Sequence, residues 1–145
     1  NKSYELYHLN RVKKGSGKAP EIYLMEGFMD VIAAYRAGIE NAVASMGTAL
    51  TSEHVNHLKR FTKKVIITYD GDRAGQAATA KALEELGDLS VQIVQIPDAM
   101  DPDEYLQKNS PEDLAYLLAN TRISPIEFYI HHYKPSNNEN LQAQI

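Results

Sequence analysis

A short apolar run that stops abruptly in acidic residues and glycines constrains this chain more than any other feature. The β-branched run Val65-Ile66-Ile67-Thr68 is followed at once by Tyr69-Asp70-Gly71-Asp72-Arg73-Ala74-Gly75. Such a run predicts a buried strand whose carboxyl end delivers polar residues to a loop. We therefore expect a strand over residues 63–69 and, after the loop, an amphipathic helix over residues 74–86.

Asp70 and Asp72 are separated by a single glycine. In extended backbone, residues two apart point the same way, and glycine permits a tight turn between them. Two carboxylates directed at one point repel each other unless a hard cation lies between them. Mg²⁺ takes oxygen ligands and keeps positions open for water and phosphate. The pair therefore favours a magnesium site, although an ordinary acidic turn with an N-capping Asp also explains such a pattern.

Three further apolar runs alternate with helical segments. The runs cover residues 21–25, 41–45 and 91–96. Strands that alternate with helices predict an α/β fold, here a parallel sheet of about four strands flanked by helices. In such sheets, ligands gather outside the carboxyl ends of the strands.

Two more acidic clusters follow predicted strands. Glu26 ends the first strand and Asp30 comes about one helical turn later, while Asp101 and Asp103 follow the fourth strand. Pro102 fixes the backbone between the last two, and Asp101 also suits the N-cap of a helix that begins with proline. Because crowding like charges costs stability, three acidic clusters at three strand ends favour a metal site over surface decoration.

Composition limits the function classes without choosing among them. The formal net charge of −4 argues against a polyanion partner, but setting aside the six candidate site carboxylates changes it to +2. The chain has no cysteine, so a disulfide framework and a zinc ribbon are both excluded. With no apolar run near 18 residues and a polar start that is no signal peptide, we expect a cytoplasmic protein and no membrane partner. The missing initiator Met suggests a fragment of a longer protein.

The remaining patterns are less specific. His54 and His57 stand three apart in a predicted helix, but no third ligand accompanies them, so we expect both to be solvent-exposed. Residues 1–120 are predicted to form the core domain. Residues 121–145 are predicted to begin a C-terminal helical subdomain.

Four motifs, taken in chain order, carry a resemblance to a known family. They are Glu26-Gly27-Phe28-Met29-Asp30, Ala44-Ser45-Met46-Gly47-Thr48, the segment from Tyr69 to Gly75, and Asp101-Pro102-Asp103. Together they resemble the TOPRIM core of bacterial DnaG-type primases over about residues 1–120. The resemblance implies the Rossmann-like TOPRIM fold and DNA-templated synthesis of short RNA primers for DNA replication, a nucleotidyltransferase reaction.

The resemblance also implies roles for particular residues. Glu26, Asp70 and Asp72 would be the central catalytic and metal-binding residues, holding Mg²⁺ or Mn²⁺. The surrounding metal-site acids would be Asp30, Asp101 and Asp103. Lys2 would face nucleotide phosphate, and Arg73 would either contact nucleic acid or pair with a neighbouring acid.

The resemblance also implies partners, and rival functions stay open beside it. Single-stranded DNA template, RNA primer and nucleoside triphosphates are the implied partners, whereas zinc and the replicative helicase would bind regions outside this chain. Primer synthesis by the isolated chain is therefore expected to be weak or absent. The alternatives are another TOPRIM enzyme, such as a nuclease or a phage-type primase–helicase, and a non-catalytic, magnesium-binding regulatory α/β domain.

Overall fold

A computed structural model describes residues 21–46, 48–87 and 89–132 of the chain. Its strands are β1 (Glu21–Met25), β2 (Ala42–Ala44), β3 (Lys64–Ile67), β4 (Ser90–Val94) and β5 (Arg122–Ile123). Its helices are α1 (Phe28–Arg36), α2 (Ser52–Lys59), α3 (Arg73–Glu85), α4 (Pro102–Lys108), α5 (Pro111–Asn120) and α6 (residues 125–132), with a 3₁₀ turn at Pro97–Ala99. None of the helices in these ranges has both the length and the apolar character that a bilayer crossing requires.

The strands form one sheet in the order β2-β1-β3-β4-β5. The first four are parallel, which confirms the predicted α/β fold. The fifth strand was not predicted: β5 pairs antiparallel with β4 through Ile93 with Ile123 and Val94 with Arg122. A two-residue strand carries too little periodicity to be read from sequence.

Both faces of the sheet are covered, as the near-continuous apolar strands require. Alternate residues of β1 enter different cores: Ile22 and Leu24 pack with residues of α2 and α3, whereas Tyr23 and Met25 pack with residues of α1, α4 and α5. The sheet is thus fixed between two helical layers, and its carboxyl-end loops are held on a rigid support.

Arg122 ties the edge strand to the rest of the sheet. Its guanidinium donates two hydrogen bonds to the Glu21 carboxylate, at 3.0 and 2.5 Å, and one to the Tyr23 hydroxyl at 2.6 Å. The Arg122 side chain is 15% exposed and the Glu21 side chain 33% exposed, so this bidentate pair is partly shielded from solvent.

Part of the predicted C-terminal region packs on the sheet. Phe128 of α6 is buried in the same core as Ile22 and Leu24. The boundary between residues 1–120 and 121–145 stays a prediction, and Lys2 and residues 133–145 lie outside the described ranges.

The prediction that His54 is solvent-exposed is wrong, because its side chain is fully buried. Its Nδ1 accepts a hydrogen bond from the Thr51 backbone N–H at 3.0 Å, and the Thr51 hydroxyl accepts one from the His54 N–H at 3.2 Å. This reciprocal cap begins α2 and turns the imidazole inward. His57 is half-buried.

Candidate metal centre

The ends of β1 and β3 bring the first two predicted site residues together. These strands are parallel neighbours, with Leu24 opposite Ile67, so their carboxyl ends reach the same edge of the sheet. Asp70, just past β3, donates its backbone N–H to Oε2 of Glu26 at 2.9 Å. Residues 44 positions apart in the chain are therefore joined directly at the edge where ligands of such sheets bind.

Asp30 connects the cluster of Asp101 and Asp103 to the same edge. This residue lies in the first turn of α1, and only 5% of it is exposed. Its Oδ1 accepts a hydrogen bond from the backbone N–H of Asp103 at 3.3 Å, which joins α1 to α4. We call the connected acids the acidic rim. Its members are Glu26, Asp30, Asp70, Asp101 and Asp103.

Burial, and after it mutual repulsion, raises the pKa of three acids of the acidic rim, Asp30, Asp70 and Asp101. Burial raises the pKa of Asp70 to about 8, and the negative charges of Glu26, Asp30 and Asp101 add to the rise. Burial raises the pKa of Asp30 to about 7, with the charge of Asp101 as the next cause. The pKa of Asp101 is raised as well, again chiefly by burial. Without a cation, full ionisation of this cluster at neutral pH is unfavourable.

One oxygen at the centre of the cluster lacks a hydrogen-bond partner. Oδ1 of Asp70 is buried and accepts no hydrogen bond within the described part of the chain. A buried, unsatisfied carboxylate oxygen is costly unless it is protonated or bound to a cation. Either a proton or a cation would offset the charge at this oxygen, and a cation would also offset the repulsion from the neighbouring acids.

Asp72 occupies a different position from the other acids. It is the N-cap of α3, and its Oδ1 accepts a hydrogen bond from the Gly75 N–H at 2.7 Å. The residue is exposed. A cap uses one carboxylate oxygen, so capping is compatible with metal binding by the other oxygen. Asp101 likewise caps α4, where its Oδ1 accepts from the Glu104 N–H at 2.7 Å.

Glycines allow residues 70–75, which we call the acidic turn, to lie unusually close to their neighbours. A methyl group on Gly71 would overlap the carbonyl oxygen of Ile96, and one on Gly75 would overlap the carbonyl oxygen of Asp70. Facing this turn, Asp98 and Ala99 both have left-handed backbone, with φ of 59° and 57°. Alanine rarely adopts that conformation, so the loop stores strain next to the site.

The donors fit a hard divalent cation in kind. All are carboxylates, which Mg²⁺ and Mn²⁺ prefer, and one oxygen is buried without a partner. Within residues 21–46, 48–87 and 89–132, however, no three acidic or histidine side chains are gathered closely enough to hold an ion as they stand. Coordination by Glu26, Asp70 and Asp72 therefore stays a prediction.

A pocket of about 250 Å³ adjoins Glu26 on the side of α3. Its polar lining comes from Ser45, Thr48, Tyr69 and Lys81, and small apolar residues complete the wall. Burial raises the pKa of Tyr69 to about 12, so its hydroxyl stays protonated. Sequence reasoning assigned no role to Lys81, because an exposed helix lysine has no local signal that marks it as part of a pocket.

Arg73 is exposed at the first position of α3. It forms no ion pair with any acid in the described ranges. The structure therefore gives no support for the interpretation in which Arg73 pairs with a neighbouring acid, and a contact with nucleic acid stays a prediction.

Comparisons with known proteins agree with this geometry. A family profile described as Toprim-like matches residues 23–106. The DNA primase of Lactococcus lactis is 53% identical over 144 residues, covering 99% of this chain and 23% of that protein. The DNA primase of Listeria monocytogenes is 44% identical over 149 residues, covering 100% of this chain and 24% of that protein. This chain thus spans about a quarter of the length of these curated relatives.

This chain is also similar to solved structures of primase catalytic domains. The DnaG primase catalytic domain bound to single-stranded DNA is 32% identical with a TM-score of 0.78, over 94% of this chain and 44% of that one. The Escherichia coli primase catalytic core is 31% identical with a TM-score of 0.76, over 94% of this chain and 45% of that one. The profile match over residues 23–106, more than half of the chain, shows that the chain belongs to the Toprim-like family.

Proposed function

We propose that this chain is the metal-binding catalytic core of a bacterial DNA primase, which makes short RNA primers on single-stranded DNA. The observation that carries the proposal is the hydrogen bond from the Asp70 backbone to Glu26, beside a buried Asp70 oxygen that has no hydrogen-bond partner among the described residues. The relatives named DNA primase support the reaction class. The structure of a relative bound to single-stranded DNA supports the template as a partner.

In this proposal, Glu26, Asp70 and Asp72 hold Mg²⁺ or Mn²⁺, and Asp30, Asp101 and Asp103 complete the negative field around them. Bound divalent cations would supply electrostatic stabilisation of the attacking 3′-hydroxyl and of the leaving pyrophosphate. The chain's own residues supply the rigid geometry: the Glu26 carboxylate is fixed by the Asp70 N–H, and Asp30 is fixed by the Asp103 N–H. Glu26 would act as a ligand rather than as a general base, because the oxygens of a metal-bound carboxylate are engaged by the ion and held in place.

We also propose roles for the remaining predicted residues and for the parts of the protein outside this chain. Nucleoside triphosphates and the RNA primer would meet at the acidic rim, with Lys2 on nucleotide phosphate and Arg73 on nucleic acid. Zinc and the replicative helicase would bind parts of the protein outside this chain. The protein would act in the bacterial cytoplasm. Residues 121–145 would begin a helical subdomain.

The test uses the full-length protein that contains this chain, with single-stranded DNA, nucleoside triphosphates and Mg²⁺. We expect short RNA products, and we expect Glu26→Gln and Asp70→Asn to abolish them. Glu40→Gln removes one exposed acid outside the acidic rim and should leave synthesis within twofold of the unmodified protein. Degradation of the DNA without RNA synthesis would indicate a nuclease instead, and full activity of Asp70→Asn would refute the assigned site.

A further inference from the structure

Two residues that the proposed function leaves without a role connect the last described helix to the acidic turn. Gln76 lies in the first turns of α3, and His132 is the last described residue of α6. Nε2 of Gln76 donates to the carbonyl oxygen of Gly71 at 3.3 Å, and Oε1 of Gln76 lies 3.1 Å from Nδ1 of His132. Gly71 is the residue between Asp70 and Asp72, so this chain of contacts ends at the centre of the acidic turn.

The peptide groups of Gly71 are held on both sides. Its N–H donates to the carbonyl oxygen of Met100 at 2.9 Å, and its carbonyl accepts from Gln76. Its α-carbon faces the Ile96 carbonyl so closely that no side chain fits there. The main-chain contacts come from the loop after β4, whereas Gln76 contributes a side-chain contact that a substitution can remove without touching the backbone.

The orientation of the Gln76 amide depends on His132. The Gly71 carbonyl needs a donor, so Nε2 must face it and Oε1 must face the imidazole. Oε1 in turn requires a proton on Nδ1 of His132, which both the Nδ1–H tautomer and the imidazolium supply. The imidazole is stacked on the Phe128 ring, with centroids 5.2 Å apart and planes 11° apart, and Phe128 is 1% exposed. The stack on the buried Phe128 ring therefore restricts the orientation of the His132 imidazole. The imidazole in turn restricts the orientation of the Gln76 amide, which contacts Gly71.

We propose that Gln76 and His132 are positioning residues for the acidic turn. Through them, α6 influences the affinity of the turn for divalent cations. This inference rests on the proposed function for its reaction, but metal binding tests it separately. Cation affinity depends on how well Asp70 and Asp72 are held in place before the ion arrives, since an ion must otherwise order the turn itself. Loss of one hydrogen bond of ordinary strength corresponds to roughly a three- to tenfold change in an equilibrium constant.

The experiment measures Mn²⁺ affinity by electron paramagnetic resonance and the Mg²⁺ concentration that gives half-maximal primer synthesis, both on the full-length protein. Gln76→Met keeps the side-chain length but removes both polar atoms, and His132→Ala removes the donor. We expect each to weaken Mn²⁺ binding about three- to tenfold and to raise the Mg²⁺ requirement by the same factor, with kcat at saturating Mg²⁺ nearly unchanged. The double variant should be no worse than either single variant, because both break one chain of contacts.

Two matched variants separate positioning from general loss of structure. His132→Asn offers an amide N–H near the position of Nδ1 and should restore binding to within twofold. His131→Ala alters the exposed neighbour and should change nothing. Unchanged Mn²⁺ affinity in Gln76→Met and His132→Ala, or an equal loss in His131→Ala, would overturn the inference. Weakened Mn²⁺ binding in a protein that makes no RNA would support the positioning role and refute the primase assignment.

Discussion

The raised pKa of Asp70 leads to an unusual prediction: replacing a proposed catalytic residue should stabilise the metal-free protein. Asp70→Asn keeps the shape of the side chain and removes the charge that burial and Glu26 disfavour. A carboxyl whose pKa rises from 3.8 to about 8 destabilises the folded state by at most roughly 4 kcal/mol at pH 7. Because Asp70 is only partly buried, solvent screening reduces the expected gain to about 1–2 kcal/mol.

The assay is urea denaturation of the 145-residue chain at pH 7 in EDTA, followed by circular dichroism, and repeated in 10 mM Mg²⁺. We expect Asp70→Asn to be about 1–2 kcal/mol more stable than the unmodified chain in EDTA and to gain nothing from Mg²⁺. Glu40→Gln also removes one negative charge, from an exposed site, and should change stability by less than about 0.5 kcal/mol. If Asp70→Asn proved less stable in EDTA, the carboxylate would be a structural element and the repulsion argument would fail.

Three further measurements test the site and its support. The folded-state pKa values of Asp30 and Asp70, about 7 and about 8, lie above the unfolded value of 3.8, so the metal-free chain should lose stability as pH rises from about 4 to about 8. Thermal melts should show a larger Mg²⁺-dependent rise in Tm at pH 8 than at pH 6, and equal rises would contradict a site at these acids. Gly75→Ala should cost about 2–3 kcal/mol or more in urea denaturation, because the added methyl overlaps the Asp70 carbonyl, whereas Ala77→Ser on the exposed side of α3 should cost well under 1 kcal/mol. Arg122→Met should destabilise the chain by about 2–3 kcal/mol, because it leaves the partly shielded Glu21 carboxylate without its bidentate partner, and an unchanged urea midpoint would show that the pair is energetically neutral.

Much of the fold was predictable because the signals are local. Apolar runs identified four strands, the predicted helix over residues 74–86 lies within one residue of α3 at either end, and proline marked the start of α4. Strand β5 escaped prediction because nothing in Arg122-Ile123 is strand-like on its own. It pairs with β4, and Arg122 contacts Glu21 and Tyr23, which lie about 100 residues earlier in the chain.

Burial was less predictable than secondary structure. The helical position of His54 followed from sequence, but its burial did not. The pattern Thr51-x-x-His54 gives no sign that the imidazole accepts the Thr51 N–H and packs inward. The contact of Gln76 with His132 is invisible for the same reason, since 56 residues separate them and neither belongs to a motif.

Which acids follow which strands can be predicted from the chain alone, because strand ends and carboxylates are both local features. That these acids meet depends on how the strands and helices pack. The strand order places β1 directly beside β3, so Glu26 reaches the Asp70 N–H, and the packing of α1 on α4 brings Asp30 to Asp103. The glycines of the acidic turn also acquire their meaning there, since only the folded chain puts the Ile96 and Asp70 carbonyls where a side chain would have to go.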